Sequence, residues 1–132
     1  MKVRRKPAVA LQIHHLDDGD ETDFVLRHVG RAASVANCAI ERPSDETNSI
    51  LIHCLFDDSN EERMLYGLLG VAEKLIANLT SEDLRNVRSS CLDVTLVVQP
   101  GTWISHFKPS LLSACGEKLI PIRVVQLNVE VG

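Results

Sequence analysis

The chain is 132 residues long, the size of one domain, and long enough to bury a core without disulfides or a metal. Its 45% hydrophobic and 24% charged residues exclude a disordered chain, and its net charge of -4 argues against coating DNA or RNA, which needs a basic face. The aromatics Phe24, Phe56, Tyr66, Trp103 and Phe107 are not gathered beside basic residues on any predicted strand, which leaves no stacking platform for single-stranded nucleic acid.

Residues 1–7 carry Lys2, Arg4, Arg5 and Lys6 ahead of Pro7. No long apolar run follows, so they read as a solvated basic arm before one α+β domain core over residues 8–131, and not as a secretory signal. Residues 8–15 alternate Val9, Leu11 and Ile13 with Ala10, Gln12 and His14, the period of a half-buried strand. The acidic residues 17–23 then lead into a helix over residues 21–33, with Asp20 as its cap and Glu21 and Asp23 at the positive end of its dipole. Its buried stripe is expected to be Phe24 or Val25, then Val29, Ala32 and Ala33. Residues 35–41 read as a second strand, residues 43–48 as a turn-forming loop and residues 49–56 as a third strand, the two strands forming a hairpin.

Ser59 and Glu62 stand at capping-box spacing before a strongly amphipathic helix that runs to residue 79. Leu65, Leu68, Leu69, Ala72, Ile76 and Leu79 share one face of it. Gly67 and Gly70 inside this helix each cost about 1 kcal/mol relative to Ala, a cost that a close approach to a neighbouring element would offset. Thr80 and Asp83 repeat the capping spacing more weakly and predict a short helical turn over residues 80–87. Residues 91–99 form the next strand, with Leu92, Val94, Leu96 and Val98 on one face. Pro109 and Gly116 bracket a short helix, proline inside its start and glycine past its end. Residues 120–131 supply the last strand.

The first six elements follow the βαββαβ order of ferredoxin-like folds, with a C-terminal helix and strand appended. The expected architecture is a mostly antiparallel sheet with helices on one face. An alternative drops the strand at residues 35–41 and yields a four-stranded alternating α/β sheet; the hairpin is preferred because residues 35–47 would otherwise form a long structureless loop.

The serine- and acid-capped helix from Ser59, the strand over residues 92–98 and the run Phe107-Lys108-Pro109-Ser110-Leu111-Leu112 before Gly116 resemble an uncharacterised bacterial family known only as a domain of unknown function. The likeness covers residues 49–130 and rests on packing positions. It implies a compact α+β fold and a bacterial source, and it transfers no catalytic residue. The hairpin region is shorter than in that family and lacks its tryptophan.

Cys38, Cys54, Cys91 and Cys115 have wide, irregular gaps and no C-x-x-C. Each sits in a mostly apolar segment and reads as a small buried hydrophobe in a reducing cytoplasm, without a structural disulfide. His14, His15, His28, His53 and His106 are ligand types for zinc. Adjacent residues on a strand point to opposite faces, however, so neither His14 with His15 nor His53 with Cys54 can share a metal. With residues 8–15 antiparallel to 49–56, His15 is expected near Ser49, about four residues or roughly 13 Å from His53. No metal and no cofactor is expected. The acidic run fails as a calcium loop, because Thr22 or Asp23 stands where glycine is needed. No nucleophile elbow or phosphate-binding glycine loop occurs.

Residues 99–107 place Trp103, His106 and Phe107 in a loop between a strand and a helix, the position from which a rigid scaffold presents binding residues. These three are the candidate ligand or partner residues, beside the bland reading that they close the end of the core. The expected function is a non-catalytic binding or protein-interaction domain that uses this loop or an open sheet face, made partly apolar by Ala8, Ala10 and Val97, as a homodimer or with a protein partner. Two further readings are a small enzyme with its site near Trp103, His106 and Cys91, and an immunity or regulatory protein that binds a cognate protein through residues 17–23. Neither nucleic acid nor a membrane is an expected partner, since no apolar stretch is long enough to span a bilayer.

Overall fold

The structure, a computed structural model, describes residues 6–15, 19–42, 49–85, 87–98 and 107–128, apart from the side chains of residues 19–24, 97–98 and 127–128. Among these lie strands β1 (Ala8–His15), β2 (Cys38–Glu41), β3 (Ser49–Cys54), β4 (Val87–Val98) and β5 (Ile122–Asn128), with helices α1 (Gly19–Ala36), α2 (Glu61–Asn78) and α3 (Pro109–Glu117). They follow in the order β1-α1-β2-β3-α2-β4-α3-β5. The strands form one open sheet in the spatial order β2-β3-β1-β4-β5. β1 pairs antiparallel with β3 and with β4, and β2 pairs antiparallel with β3. β5 joins β4 in parallel, the pairing that a helical crossover through α3 imposes. The fold is therefore α+β with a mostly antiparallel sheet, and the hairpin reading of residues 35–56 prevails over the four-stranded alternative.

Strand alternation decides where the core lies. Val9, Leu11 and Ile13 of β1, Ile50 and Ile52 of β3, and Leu92, Val94 and Leu96 of β4 are buried on one face. They join Val25, Val29, Ala32, Ala33 and Ala36 of α1, Leu68, Leu69, Ala72, Leu75 and Ile76 of α2, and Leu111 and Cys115 of α3 in a single core. Each fully buried Leu, Ile or Val contributes about 1.5–3 kcal/mol relative to exposure, so this shared apolar layer dominates the packing of helices on sheet. The intervening residues Ala10, Gln12, His14, Cys91, Asp93 and Thr95 are only half-buried.

Several boundaries differ from expectation for identifiable reasons. α1 begins at Gly19 and runs to Ala36, so Asp20 is a helical residue instead of a cap, and Val35 is an exposed helical residue instead of a strand residue. Asn37, at φ 62°, ends the helix in the left-handed conformation that Asn tolerates better than most residues. β2 is thereby cut to four residues. α2 is capped by Asn60 and not Ser59: the Asn60 side chain accepts from the Arg63 amide at 3.0 Å, and Asp58 accepts from the Asn60 amide at 2.9 Å. β3 stops at Cys54, and the Phe56 ring lies against Gly67, where an added Cβ would sit 2.2 Å from it. That contact is the close approach expected of Gly67; Gly70 has nothing within 4 Å and makes none.

Residues 80–85 form a hydrogen-bonded turn without a helix, yet the Thr80–Asp83 reciprocity is present: the Thr80 amide donates to Asp83 at 2.8 Å and the Asp83 amide donates to Thr80 Oγ1 at 3.1 Å. β4 starts at Val87, earlier than expected, because it pairs along the whole of β1 through a bulge between His14 and His15. Gly116 falls inside α3, not past its end, and Leu119 takes the positive φ of 55° beyond it. His14, not His15, faces Ser49; His15 points to the buried side.

Candidate functional site

The face of the sheet opposite the core is built from one register row after another. Across its middle run Ala39, His53, Ala10, Asp93 and Arg123, direct neighbours on β2, β3, β1, β4 and β5. Beside it run Glu41, Leu51, Gln12 and Cys91. On its other side Ala8, Thr95 and Val125 are aligned. The centre is floored by the small side chains Ala8 and Ala10, and polar pairs stand to either side. His53 Nε2 lies 3.2 Å from Glu41 on the β2 flank. On the β5 flank Arg123 donates two hydrogen bonds to the Asp93 carboxylate, at 2.8 and 3.0 Å, the two-pronged geometry in which guanidinium and carboxylate pair best. At one end of the face a 2.8 Å hydrogen bond joins Ser49 Oγ and His14 Nδ1.

Cys91 sits on this face and its thiol donates to Asp93 at 3.5 Å. Burial, and then the neighbouring Asp93 carboxylate, push the thiol above its ordinary pKa. A nucleophilic cysteine needs the opposite environment, so the Cys91 surroundings favour a neutral thiol.

Of the residues singled out in the loop before α3, Trp103 and His106 lie outside the described residues, and so do Asp17 and Asp18 of the acidic run. Phe107 is half-buried and packs against the core, in keeping with closure of the core's end. It does not extend the sheet-face cluster. A shallow cleft lies between α2 and α3, lined by Tyr66, Leu69, Gly70, Glu73, Lys108 and Leu111; the Ser110 hydroxyl donates to Glu73 nearby. Among the described residues no group of three His, Cys, Asp or Glu side chains is arranged to hold a metal ion, and no helix is long and apolar enough to cross a membrane.

A second polar cluster fastens α1 to the turn after α2. The Asp83 side chain is 3% exposed and lies 3.0 Å from His28 Nδ1 and 2.8 Å from Arg31 Nη2. Arg31 also donates to the Asn78 carbonyl at 3.2 Å. Burial alone would raise the Asp83 pKa, but the Thr80 amide, His28, the Thr80 hydroxyl and Arg31 together outweigh it and hold the carboxyl below its usual range. Sequence spacing revealed the Thr80–Asp83 half of this cluster. His28 and Arg31 come from more than 50 residues away and left no local signal. Similarly, the Asp93–Arg123 pair requires the parallel register of β4 and β5, which no local pattern encodes.

Comparison of the chain with protein-family models, with curated proteins and with solved structures returned no match.

Proposed function

We propose that this protein is a non-catalytic interaction domain that self-associates through the uncovered sheet face, built on a ferredoxin-like β2-β3-β1-β4 core with β5 appended beside β4 and the helices kept to the opposite side. The observation that carries the reading is the order of the central row, His53–Ala10–Asp93. A two-fold axis laid along β1 between two facing copies turns each row back on itself. Ala10 then meets Ala10, and His53 of each copy lies over Asp93 of the other. Leu51 lies over Cys91. Small residues at the axis and groups of opposite character on the flanks make the face self-complementary, which a closed two-fold interface requires. Facing sheets pack about 10 Å apart, close enough for these side chains to meet.

The size of the face sets the strength. Strands about 4.8 Å apart, over a length of roughly 20 Å, bury on the order of 1,000 Å² in total between two copies. That is the lower edge of specific interfaces, so the dimer is weak and concentration-dependent. The test is sedimentation equilibrium from about 5 μM to about 1 mM, a range that spans the association constants of a weak dimer. The wild-type chain is expected to shift from monomer to dimer. Ala10→Arg, which sets a long charged side chain on the axis without touching the core, is expected to stay monomeric with its thermal midpoint unchanged. A wild-type chain that stays monomeric throughout, or an Ala10→Arg chain that dimerises like wild type, overturns the proposal.

A further inference from the structure

We propose that Cys38 and Cys54 form a redox-active dithiol that exchanges with small-molecule disulfides of the glutathione type, closing into a cross-strand disulfide between β2 and β3. The two residues are direct partners in the antiparallel ladder. Opposed residues in such a ladder have Cα atoms about 4.5–5.5 Å apart, inside the roughly 4.4–6.8 Å span a disulfide bridges. Both side chains lie on the core side of the sheet, since Ile50 and Ile52 share that face with Cys54, and both sulfurs are free. β2 is a four-residue edge strand, the element best able to adjust to closure.

The pair is asymmetric in the way exchange requires. Cys54 is 7% exposed, whereas Cys38 is only half-buried. The side-chain interaction with Cys54 lowers the Cys38 pKa against the opposing effect of burial, and the Cys38 thiol itself reaches the Ala36 carbonyl at 3.9 Å. The same interaction between the two cysteines, with burial, raises the pKa of Cys54. The more accessible Cys38 is therefore the attacking sulfur and the buried Cys54 the resolving one. Elsewhere, burial raises the pKa of both Cys91 and Cys115, and neither faces another cysteine among the described strand pairs.

The steps balance. The Cys38 thiolate, having released its proton to water, attacks one sulfur of the small disulfide; that S–S bond breaks and one thiolate leaves and takes up a proton. The Cys54 thiol then loses its proton to water, its sulfur bonds to that of Cys38, and the second small thiolate leaves and is protonated. The protein dithiol is oxidised by two electrons and one small disulfide is reduced to two thiols.

The experiment incubates the native chain with glutathione disulfide, blocks residual thiols with iodoacetamide and maps the peptides by mass spectrometry. The expected product links Cys38 to Cys54 and leaves Cys91 and Cys115 alkylated. Cys54→Ser, unable to resolve, is expected to retain one glutathione on Cys38, while Cys38→Ser gains none at Cys54. Closing this loop is expected to raise the thermal midpoint by about 5–10 °C, reversed by dithiothreitol. Modification of Cys91 or Cys115 ahead of Cys38, or absence of the 38–54 link in the native chain, overturns the proposal, and neither result depends on the folding of a variant.

Discussion

Replacing Asp83 with Ala removes one carboxylate that accepts from the Thr80 amide and Arg31, both at 2.8 Å, and lies 3.0 Å from His28. Hydrogen bonds to charged groups contribute about 1.5–3 kcal/mol each, but the three do not count equally. The Arg31 side chain is 53% exposed and that of His28 is 32% exposed, so water replaces most of what they lose and each is worth at most about 1 kcal/mol. With the turn's own amide bond included, the loss is about 2–4 kcal/mol, or roughly 8–15 °C in thermal midpoint for a domain of this size. Asp83→Asn keeps the shape and one acceptor and is expected to cost about half as much. The pH dependence has a definite sign. The folded pKa is depressed below the ordinary 3.8, so the stabilisation is fully present above that value and is lost as pH falls through the depressed one. Urea denaturation of wild type and Asp83→Asn from pH 7 down to about pH 2 reads this directly, the gap between the two closing only at the acid end. An Asp83→Ala cost below about 0.5 kcal/mol, or a gap that does not narrow at low pH, would mean that the buried carboxylate does not hold α1 to this turn.

Five further substitutions, at four positions, probe the backbone and surface. Gly70→Ala meets open space and is expected to stabilise α2 by up to about 1 kcal/mol in chemical denaturation; Gly67→Ala must displace the Phe56 ring and is expected to be neutral or destabilising despite the same helix propensity. Asn37→Ala, at a φ of 62°, is expected to cost about 1 kcal/mol, whereas Asn37→Gly is expected to gain a few tenths. Arg123→Ala breaks the two-pronged pair with Asp93 at an arginine whose side chain is 63% exposed. Water screens this pair, so its effect on monomer stability is expected to be small and to shrink further in high salt.

The elements legible in the sequence were those whose burial is periodic. Val9, Leu11 and Ile13, or Leu68, Leu69, Ala72 and Ile76, mark one face each, and the structure buries them. Ends were less legible, because they depend on competition between neighbours. Val35 favours strands by its branched side chain, but α1 carries it until Asn37 can turn left-handed. Ser59 has a capping side chain, but so does Asn60, and Asp58 receives the Asn60 amide and fixes the choice. Alternation along β1 sets Ala8 and Ala10 on the face opposite Val9 and Leu11, but the polar pairs beside them were not legible: Asp93 meets Arg123, and His53 meets Glu41, only once the strand order is fixed. Cys38 and Cys54 sit in the two predicted hairpin strands, so their facing each other was readable in principle. It required a register, and the hairpin loop between them did not determine one.

If one sheet face is bare in the monomer and meets its own copy as concentration rises, solvent access to the methyls on that face must fall with concentration. Methyl NMR with a soluble gadolinium chelate, recorded on dilute and concentrated protein, tests it directly. In dilute protein the Ala10, Ala39 and Leu51 methyls are expected to be strongly broadened while those of Leu11, Ile52 and Val94 are spared, and Ala10 and Leu51 are expected to become protected in concentrated protein. Equal broadening of these face methyls at both concentrations would contradict self-association through this face, and broadening of Leu11 or Val94 would contradict the one-sided core itself.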